Sequence, residues 1–260
     1  MAYQYVAVEK DGPITVVTLN RPEVMNALHR DAHFELDEVF NAFAADDSQW
    51  VAIVTGAGER AFSAGNDLKH QASGGKVGSP PSGFAGLTSR FDLNKALIAA
   101  VNGVAMGGGF EIALACDLIV ASETAIFALP EPRVGLAALA GGLHRLPRAI
   151  GLKRAMGMIL TGRRVTAREG LELGFVNEVV PPGELMAAAK RWADLIAECS
   201  PMSIRASKQA VLKGLDEPSL EAALKGQNKY DAVAALYTSA DFVEGPLAFS
   251  QRRPPQWKGR

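Results

Sequence analysis

The 260-residue sequence predicts an α/β core followed by a helical tail. Short runs of β-branched and aliphatic residues alternate with helical patterns as far as about residue 195, and beyond it no strand signal remains. Within the core the order strand, strand, helix recurs, which hints at stacked similar turns although no sequence repeat is clear enough to measure. The boundary divides residues 1–195 from residues 196–260.

Residues 3–8 alternate, Asp11-Gly12-Pro13 is a turn signal and residues 14–19 are rich in β-branched side chains, so a hairpin opens the chain. Residues 25–43 place Leu28, Phe34, Leu36, Val39, Phe40 and Phe43 on one helical face. His29 and His33 lie one turn apart there; with no third ligand they read as a surface pair rather than half a metal site. Residues 50–56 form a fully buried strand. The glycines that follow it, in Gly56-Ala57-Gly58-Glu59-Arg60-Ala61, match a permissive dinucleotide fingerprint but lack the helix and distant acid that such a site needs. Ala61-Phe62-Ser63-Ala64-Gly65 is one residue off a serine nucleophile elbow, with His70 and His144 as conceivable bases.

Residues 71–89 collapse into Gly, Ser, Pro and Ala and predict a mobile loop or short irregular helix over a site. A helical pattern over 91–100, a short strand over 101–105, and a glycine turn with a helix running to Val120 follow. That turn, Met106-Gly107-Gly108-Gly109-Phe110-Glu111, lets a ligand atom approach backbone at the positive end of a helix. Read alone, it fits equally a tight loop with an ordinary helix behind it. Residues 125–129 form a strand that ends at Pro130-Glu131-Pro132; the two prolines bar a regular helix or central strand and stiffen the backbone at Glu131. Residues 147–160 and the stretch ending at Gly174 read as helices, 175–180 as a strand, and 184–199, 202–213 and 219–236 as helices.

A formal net charge of −1 argues against a nucleic-acid or anionic-membrane partner. Residues 1–10 carry no basic-then-apolar targeting pattern, and no apolar run reaches membrane-spanning length, so a cytoplasmic location is expected. The two cysteines, Cys116 and Cys199, suggest neither a disulfide framework nor zinc and are expected to pack as small hydrophobes.

The separate pieces, in this order and spacing, resemble the crotonase superfamily. They are Leu19-Asn20-Arg21-Pro22 with Asn26-Ala27-Leu28, residues 62–69, the glycine turn with Glu111, Pro130-Glu131, and residues 239–249. The resemblance implies a crotonase-like spiral of repeated ββα units with a C-terminal helical trimerisation region, assembling as a homotrimer or homohexamer. It also implies an acyl-CoA substrate, with no metal and no cofactor, since CoA enters as part of the thioester. Carried over, the backbone amides of Asn66 and Gly108 form an oxyanion hole, and Glu111 and Glu131 fall on the two positions that the hydratases fill with glutamate. CoA would lie along Ala27, Ala64, Asp67, Leu68 and Lys69, with Arg252 reaching a phosphate across a subunit boundary. Both glutamates together favour hydration of a 2-enoyl-CoA or the reverse dehydration. The alternatives are a Δ3,Δ2-enoyl-CoA isomerase, a carnitinyl-CoA dehydratase-type enzyme, a serine hydrolase and a noncatalytic RNA-binding relative. Residues 135–142, with alanine where hydratases usually have proline and Leu139 where glycine is frequent, depart from the family pattern, as does the bulky Phe110, so the acyl group stays open.

Overall fold

The computed structural model describes residues 3–260, so Met1 and Ala2 of the segment read for a targeting signal lie outside the described residues. The chain opens with strands β1 (Val6–Asp11) and β2 (Ile14–Leu19), then α1 (Arg30–Ala45), β3 (Val51–Gly56), β4 (Ala61–Ser63) and α2 (Leu68–Ala72). Next come β5 (Ala96–Val101), β6 (Val104–Met106), α3 (Gly108–Ala115), β7 (Leu118–Ser122) and β8 (Ile126–Ala128). Helices α4 (Gly142–Ile150) and α5 (Leu152–Thr161) precede β9 (Val165–Thr166), α6 (Ala167–Leu173) and β10 (Glu178–Val180). Five helices close the chain: α7 (Leu185–Ala197), α8 (Pro201–Gly214), α9 (Leu220–Gly226), α10 (Asp231–Tyr237) and α11 (Ala240–Ser250).

Two sheets carry the spiral. The first has the order β1-β2-β3-β5-β7-β10 and the second β4-β6-β8-β9. Three successive turns each give one strand to the first sheet and the next to the second, so that Ile53 pairs in parallel with Ile98, and Ala61 with Val104 and Val104 with Ile126. Alternate residues of the first sheet face opposite ways. Val17, Val54, Leu97, Ala99 and Ile119 pack inward with α1 and α3, whereas Val16, Ile53, Ile98, Ala100 and Val120 pack on Leu185, Ala188, Ala189 and Ala193 of α7. Both faces are dry, so the strands read as continuous apolar runs without alternation.

That explains the misreadings. The helical pattern over 91–100 is strand β5 from Ala96 onward, and the helix expected to reach Val120 stops at Ala115, giving way to strand β7. The strand expected over 101–105 is the end of β5 and the start of β6, with Asn102 and Gly103 between them. Helix α1 starts at Arg30 rather than near Met25, because Met25 and Asn26 have positive φ. His29 caps it, its Nδ1 accepting from the Ala32 amide at 3.2 Å, and His33 is buried, so the pair is not a surface pair. Residues 147–160 are not one helix: α4 begins earlier and the chain breaks at Gly151. The strand predicted over 175–180 is limited to β10, with Phe175 and Val176 buried ahead of it. Cys116 is half-buried, its thiol pushed up to about 12 by burial, whereas Cys199 is exposed and does not pack as a small hydrophobe.

One buried carboxylate ties the tail to itself, while Lys208 of α8 joins it to the body by donating to Lys95 O and Asp117. Asp241 accepts from the Ser200 hydroxyl at 2.8 Å and from the Lys258 amide at 2.7 Å, joining α11, the N-cap of α8 and the last residues of the chain. Among the described residues no helix is long and apolar enough to cross a membrane.

Candidate active site

The segment 64–67 lies alongside 25–28. The Ala64 amide donates to Met25 O, Leu28 to Gly65 O and Asp67 to Leu28 O, all within 2.8–2.9 Å. Buried Asn26 underpins the pairing: its Nδ2 donates to Ala57 O and Ala61 O, and its Oδ1 accepts from the Arg21 amide. Asp67 caps α2 by accepting from the His70 amide at 3.0 Å and pairs with Arg21 at 2.9 Å. Burial pushes the Asp67 carboxyl up, but the His70 amide and the Arg21 guanidinium outweigh it and leave its pKa lowered. Asp67 therefore holds the turn in shape. Leu68 and Lys69 follow on the exposed first turn of α2, and Ala27 is buried.

Gly65 carries this segment to the glycine turn. At φ +85°, a Cβ there would lie 2.6 Å from Met106 O and 2.8 Å from the Gly108 amide nitrogen. The backbone just before Asn66 thus abuts the start of α3. Among the described residues neither the Asn66 nor the Gly108 amide donates to an acceptor, whereas the Gly107 and Glu111 amides do, to Ala128 O and Gly107 O. Two free amides on neighbouring backbone, one at the positive end of a helix, suit an oxyanion. The Asn66 side chain is exposed and donates to Gln71 Oε1 at 2.8 Å, so only its backbone is available to the turn.

Two carboxylates stand at the same turn. Glu111, one helical turn beyond Gly107, is 3% exposed, and its Oε1 accepts from the Gly142 amide at 2.9 Å. Burial raises its pKa to about 7; the Gly142 amide opposes this and the nearby Glu131 charge adds to it. Glu131 opens a 3₁₀ turn, Glu131–Val134, and reaches back toward Gly107, where a Cβ would meet its Oε1 at 2.9 Å. It is half-buried, its Oε2 is buried without a hydrogen-bond partner, and burial raises its pKa as well. A buried carboxylate oxygen with no donor is costly, and its position beside two free amides marks a place for a polar ligand. Glu111, raised to about 7, can exchange a proton near neutrality, and it stands beside a second carboxylate that burial also holds above its ordinary range.

Asn66, Gly108, Glu111 and Glu131 are thereby gathered at one turn, with Ala27, Ala64, Asp67, Leu68 and Lys69 leading into it. Arg252 is not gathered with them: it is exposed just beyond α11, and its amide bonds Phe249 O. The serine-elbow reading fails on geometry. Ser63 is fully buried, its hydroxyl donates to Asn26 O at 2.8 Å and accepts from the Gly65 amide, and among the described residues no histidine bonds it. The fingerprint over 56–61 leads into β4 rather than a helix.

The segment 82–90 was legible only as a loop, yet its end is pinned. Ala85, at φ +56°, donates from its amide to His33 Nδ1 at 3.0 Å, Arg90 pairs with Asp37 at 2.6 Å, and Arg145 donates to Thr88 O at 2.8 Å. It lays the Phe84 ring over the α-carbon of Gly108, where an added Cβ would fall 2.5 Å from Cε1 and Cζ. The glycine- and proline-rich composition that suggests mobility conceals these contacts, because the anchors His33, Asp37 and Arg145 come from distant helices.

A family model described as enoyl-CoA hydratase/isomerase matches residues 9–260. The chain is 45% identical over 255 residues to a carnitinyl-CoA dehydratase of Proteus mirabilis, covering 96% of each chain. It is 43% identical over 254 residues to a carnitinyl-CoA dehydratase of Salmonella arizonae, covering 96% of this chain and 97% of the relative. The crystal structure of an enoyl-CoA hydratase from Mycobacterium tuberculosis H37Rv superposes with a TM-score of 0.92 at 38% identity, covering 98% of this chain and 99% of that one.

Proposed function

The chain belongs to the enoyl-CoA hydratase/isomerase family, and on that premise we propose that it adds water reversibly across the α,β double bond of a 2-enoyl-CoA thioester. The observation that carries the reading is the convergence of Glu111 and Glu131 on the turn that bears the free Gly108 amide. The thioester oxygen would accept from the Asn66 and Gly108 amides, which need no reorganisation as it gains enolate charge. Glu111 would take a proton from water as its oxygen bonds Cβ, and Glu131 would deliver a proton to Cα; dehydration reverses both steps. Both groups lie at one turn, which suits syn addition. CoA would run along Ala27, Ala64, Asp67, Leu68 and Lys69, with no further cofactor. Arg252 would come from a neighbouring subunit of a homotrimer or homohexamer.

A second reading, dehydration of a carnitinyl-CoA, is favoured by the 43–45% identity to enzymes of that name. The test is a panel of crotonyl-CoA, longer 2-enoyl-CoAs and carnitinyl-CoA, following the conjugated thioester absorbance. Its loss with an enoyl-CoA supports hydration, and its appearance from carnitinyl-CoA supports the second reading. No turnover across the panel would sink both. An isomerase working mainly through Glu131 would keep most of its activity in Glu111→Gln, whereas hydration should fall by about 10²–10⁴-fold.

A further inference from the structure

Glu111 is held by a turn that has a support of its own. The Gly142 amide, which donates to Glu111 Oε1 at 2.9 Å, is the first of α4, and the Gly141–Gly142 pair that presents it has no side chain to steady it. Gly141 has a φ of +106° and caps α4 without a side-chain hydrogen bond. One turn along, Arg145 folds back over this start. A Cβ on Gly141 would lie 2.1 Å from its Nη1 and 3.3 Å from its Cζ, so the guanidinium fills the space that a side chain there would take. Backbone and side chain of Arg145 grip the turn together: its amide donates to Gly141 O at 2.8 Å, and its Nη2 donates to Thr88 O at 2.8 Å, which fixes the guanidinium against a separate segment.

The charge of that guanidinium matters as much as its place. Arg145 is half-buried and, among the described residues, makes no salt bridge, whereas Arg148 on the same helix pairs with Asp216 at 3.8 Å. The groups whose charge acts on Arg145 are Cys116, Glu111 and Arg148. The Cys116 thiol, pushed up to about 12 by burial, is neutral at physiological pH, and Arg148 repels, so Glu111 is left as the acid that balances Arg145. The charged groups that act on Glu111 are in turn Glu131 on the 3₁₀ turn, which disfavours its carboxylate, and Arg145 on α4, which favours it.

We propose that Arg145 is the positioning residue for Glu111: it braces the Gly141–Gly142 turn whose amide holds that carboxylate, and it brings a positive charge that offsets Glu131 there. The inference rests on the assignment of Glu111 as the group that takes a proton from water. Arg145 touches no reacting atom and acts through Glu111.

The experiment combines Arg145→Met, which keeps an extended side chain without its charge, with Glu111→Gln in a double-mutant cycle of melting temperatures at pH 5 and pH 8, either side of the Glu111 value of about 7. Arg145→Met should lower the melting temperature by about 3 °C more at pH 8 than at pH 5, because only the charged carboxylate loses a partner. In the Glu111→Gln background that difference should vanish, whereas a merely structural role would cost the same at both pH values. Steady-state kinetics with the enoyl-CoA that the wild type hydrates reads the brace. In Arg145→Met kcat should fall about tenfold or more and the acid limb of its pH profile should move up by about half a unit, while the dissociation constant of saturated butanoyl-CoA stays within about threefold. Arg145→Lys restores the charge without the fork that spans Gly141 and Thr88 O, so its acid limb should return to the wild-type position with kcat still depressed. A pH-independent loss of stability in Arg145→Met, or one whose pH dependence survives Glu111→Gln, overturns the charge pairing. A kcat within about threefold of wild type in both Arg145 variants overturns the brace. A wild type that hydrates no enoyl-CoA overturns the reading on which the inference rests, an outcome separate from hydration with unaltered Arg145 variants, and the melting cycle still decides the pairing of Arg145 with Glu111.

Discussion

Burial gives Glu111 and His33 opposite effects on stability. The Glu111 pKa is raised from 4.5 to about 7, so the folded state binds the proton more tightly and stability falls as pH rises across that window. The His33 pKa is lowered from 6.5 to about 4, so the unfolded chain holds more protons and stability rises as pH climbs through nearly the same range. Each amounts to on the order of 3 kcal/mol, so the two slopes offset. Glu111→Gln removes one of them and keeps an acceptor for the Gly142 amide. Its melting temperature should exceed that of the wild type at pH 8 and converge with it near pH 4, and a difference independent of pH would refute the burial account. In the wild type, kcat should fall as pH drops through about 7, where Glu111 gains its proton and can no longer accept one from water. The two glutamates could be found in the sequence because each sits beside punctuation, Glu111 after three glycines and Glu131 between two prolines. Phe84, Ala85 and His33 carry no such mark: the hydrogen bond from the Ala85 amide to His33 spans 52 residues from α1 to a loop and exists only in three dimensions.

At the scale of elements, the site is a junction between two turns of the spiral, and Gly65 is one of the points of close approach. Gly65→Ala would combine a strained positive φ with a Cβ pressed on Met106 O and the Gly108 amide. Strain at such a position costs about 1–3 kcal/mol, and displacing one oxyanion donor should cut kcat by about 10²–10³-fold. Asn66→Ala changes only an exposed side chain bonded to Gln71, and should stay within about tenfold of wild-type kcat because the backbone donor remains. Steady-state kinetics of the two variants, with a melt of each, distinguishes backbone from side-chain action; equal losses would argue that the Asn66 amide side chain contacts substrate. The hairpin, β3, α7 and α8 were legible because their patterns are local, whereas the helix expected over 219–236 divides into α9 and α10 around residues 227–230, and α11 was not read as a helix. Strands β5 and β7 were not, since an apolar run buried on both faces has neither the alternation of a half-exposed strand nor a helical stripe. Strands β4 and β9, three and two residues long, leave too little pattern to read and are fixed by pairing with β6 and β8.

For the whole molecule, the division of labour follows the change of character near residue 195. Helix α7 covers the outer face of the first sheet and completes the core, while α8 and α10 meet in a small cluster of their own around Ala206, Tyr230 and Val233. The tail leaves much apolar surface uncovered. Helix α11 exposes Val243 at 67% and Phe249 at 88%, and Val211, Leu215, Leu220 and Leu224 are exposed on α8, α9 and the turn between them. A monomer rarely leaves so many large apolar groups in water, and exposed apolar surface on this scale marks contact surfaces. The proposed homotrimer or homohexamer accounts for them. It would also bring Arg252, which follows α11 directly, to another subunit's site, although the chain itself does not gather it with Lys69. Light scattering should therefore give a mass three or six times the 27.5 kDa of the chain. Val243→Glu with Phe249→Glu places two charges on that surface and should lower the mass toward that of one chain. The fold should survive, since both side chains lie outside the core and the Asp241 fastening to Ser200 and Lys258 is untouched. Acyl-CoA affinity should drop with the mass if the phosphate contact comes from the neighbouring subunit, and Arg252→Ala in the intact assembly should reproduce that drop without changing the mass. A wild-type chain that stays monomeric at micromolar concentration yet binds acyl-CoA with full affinity would refute both the assembly and the role of Arg252 in it.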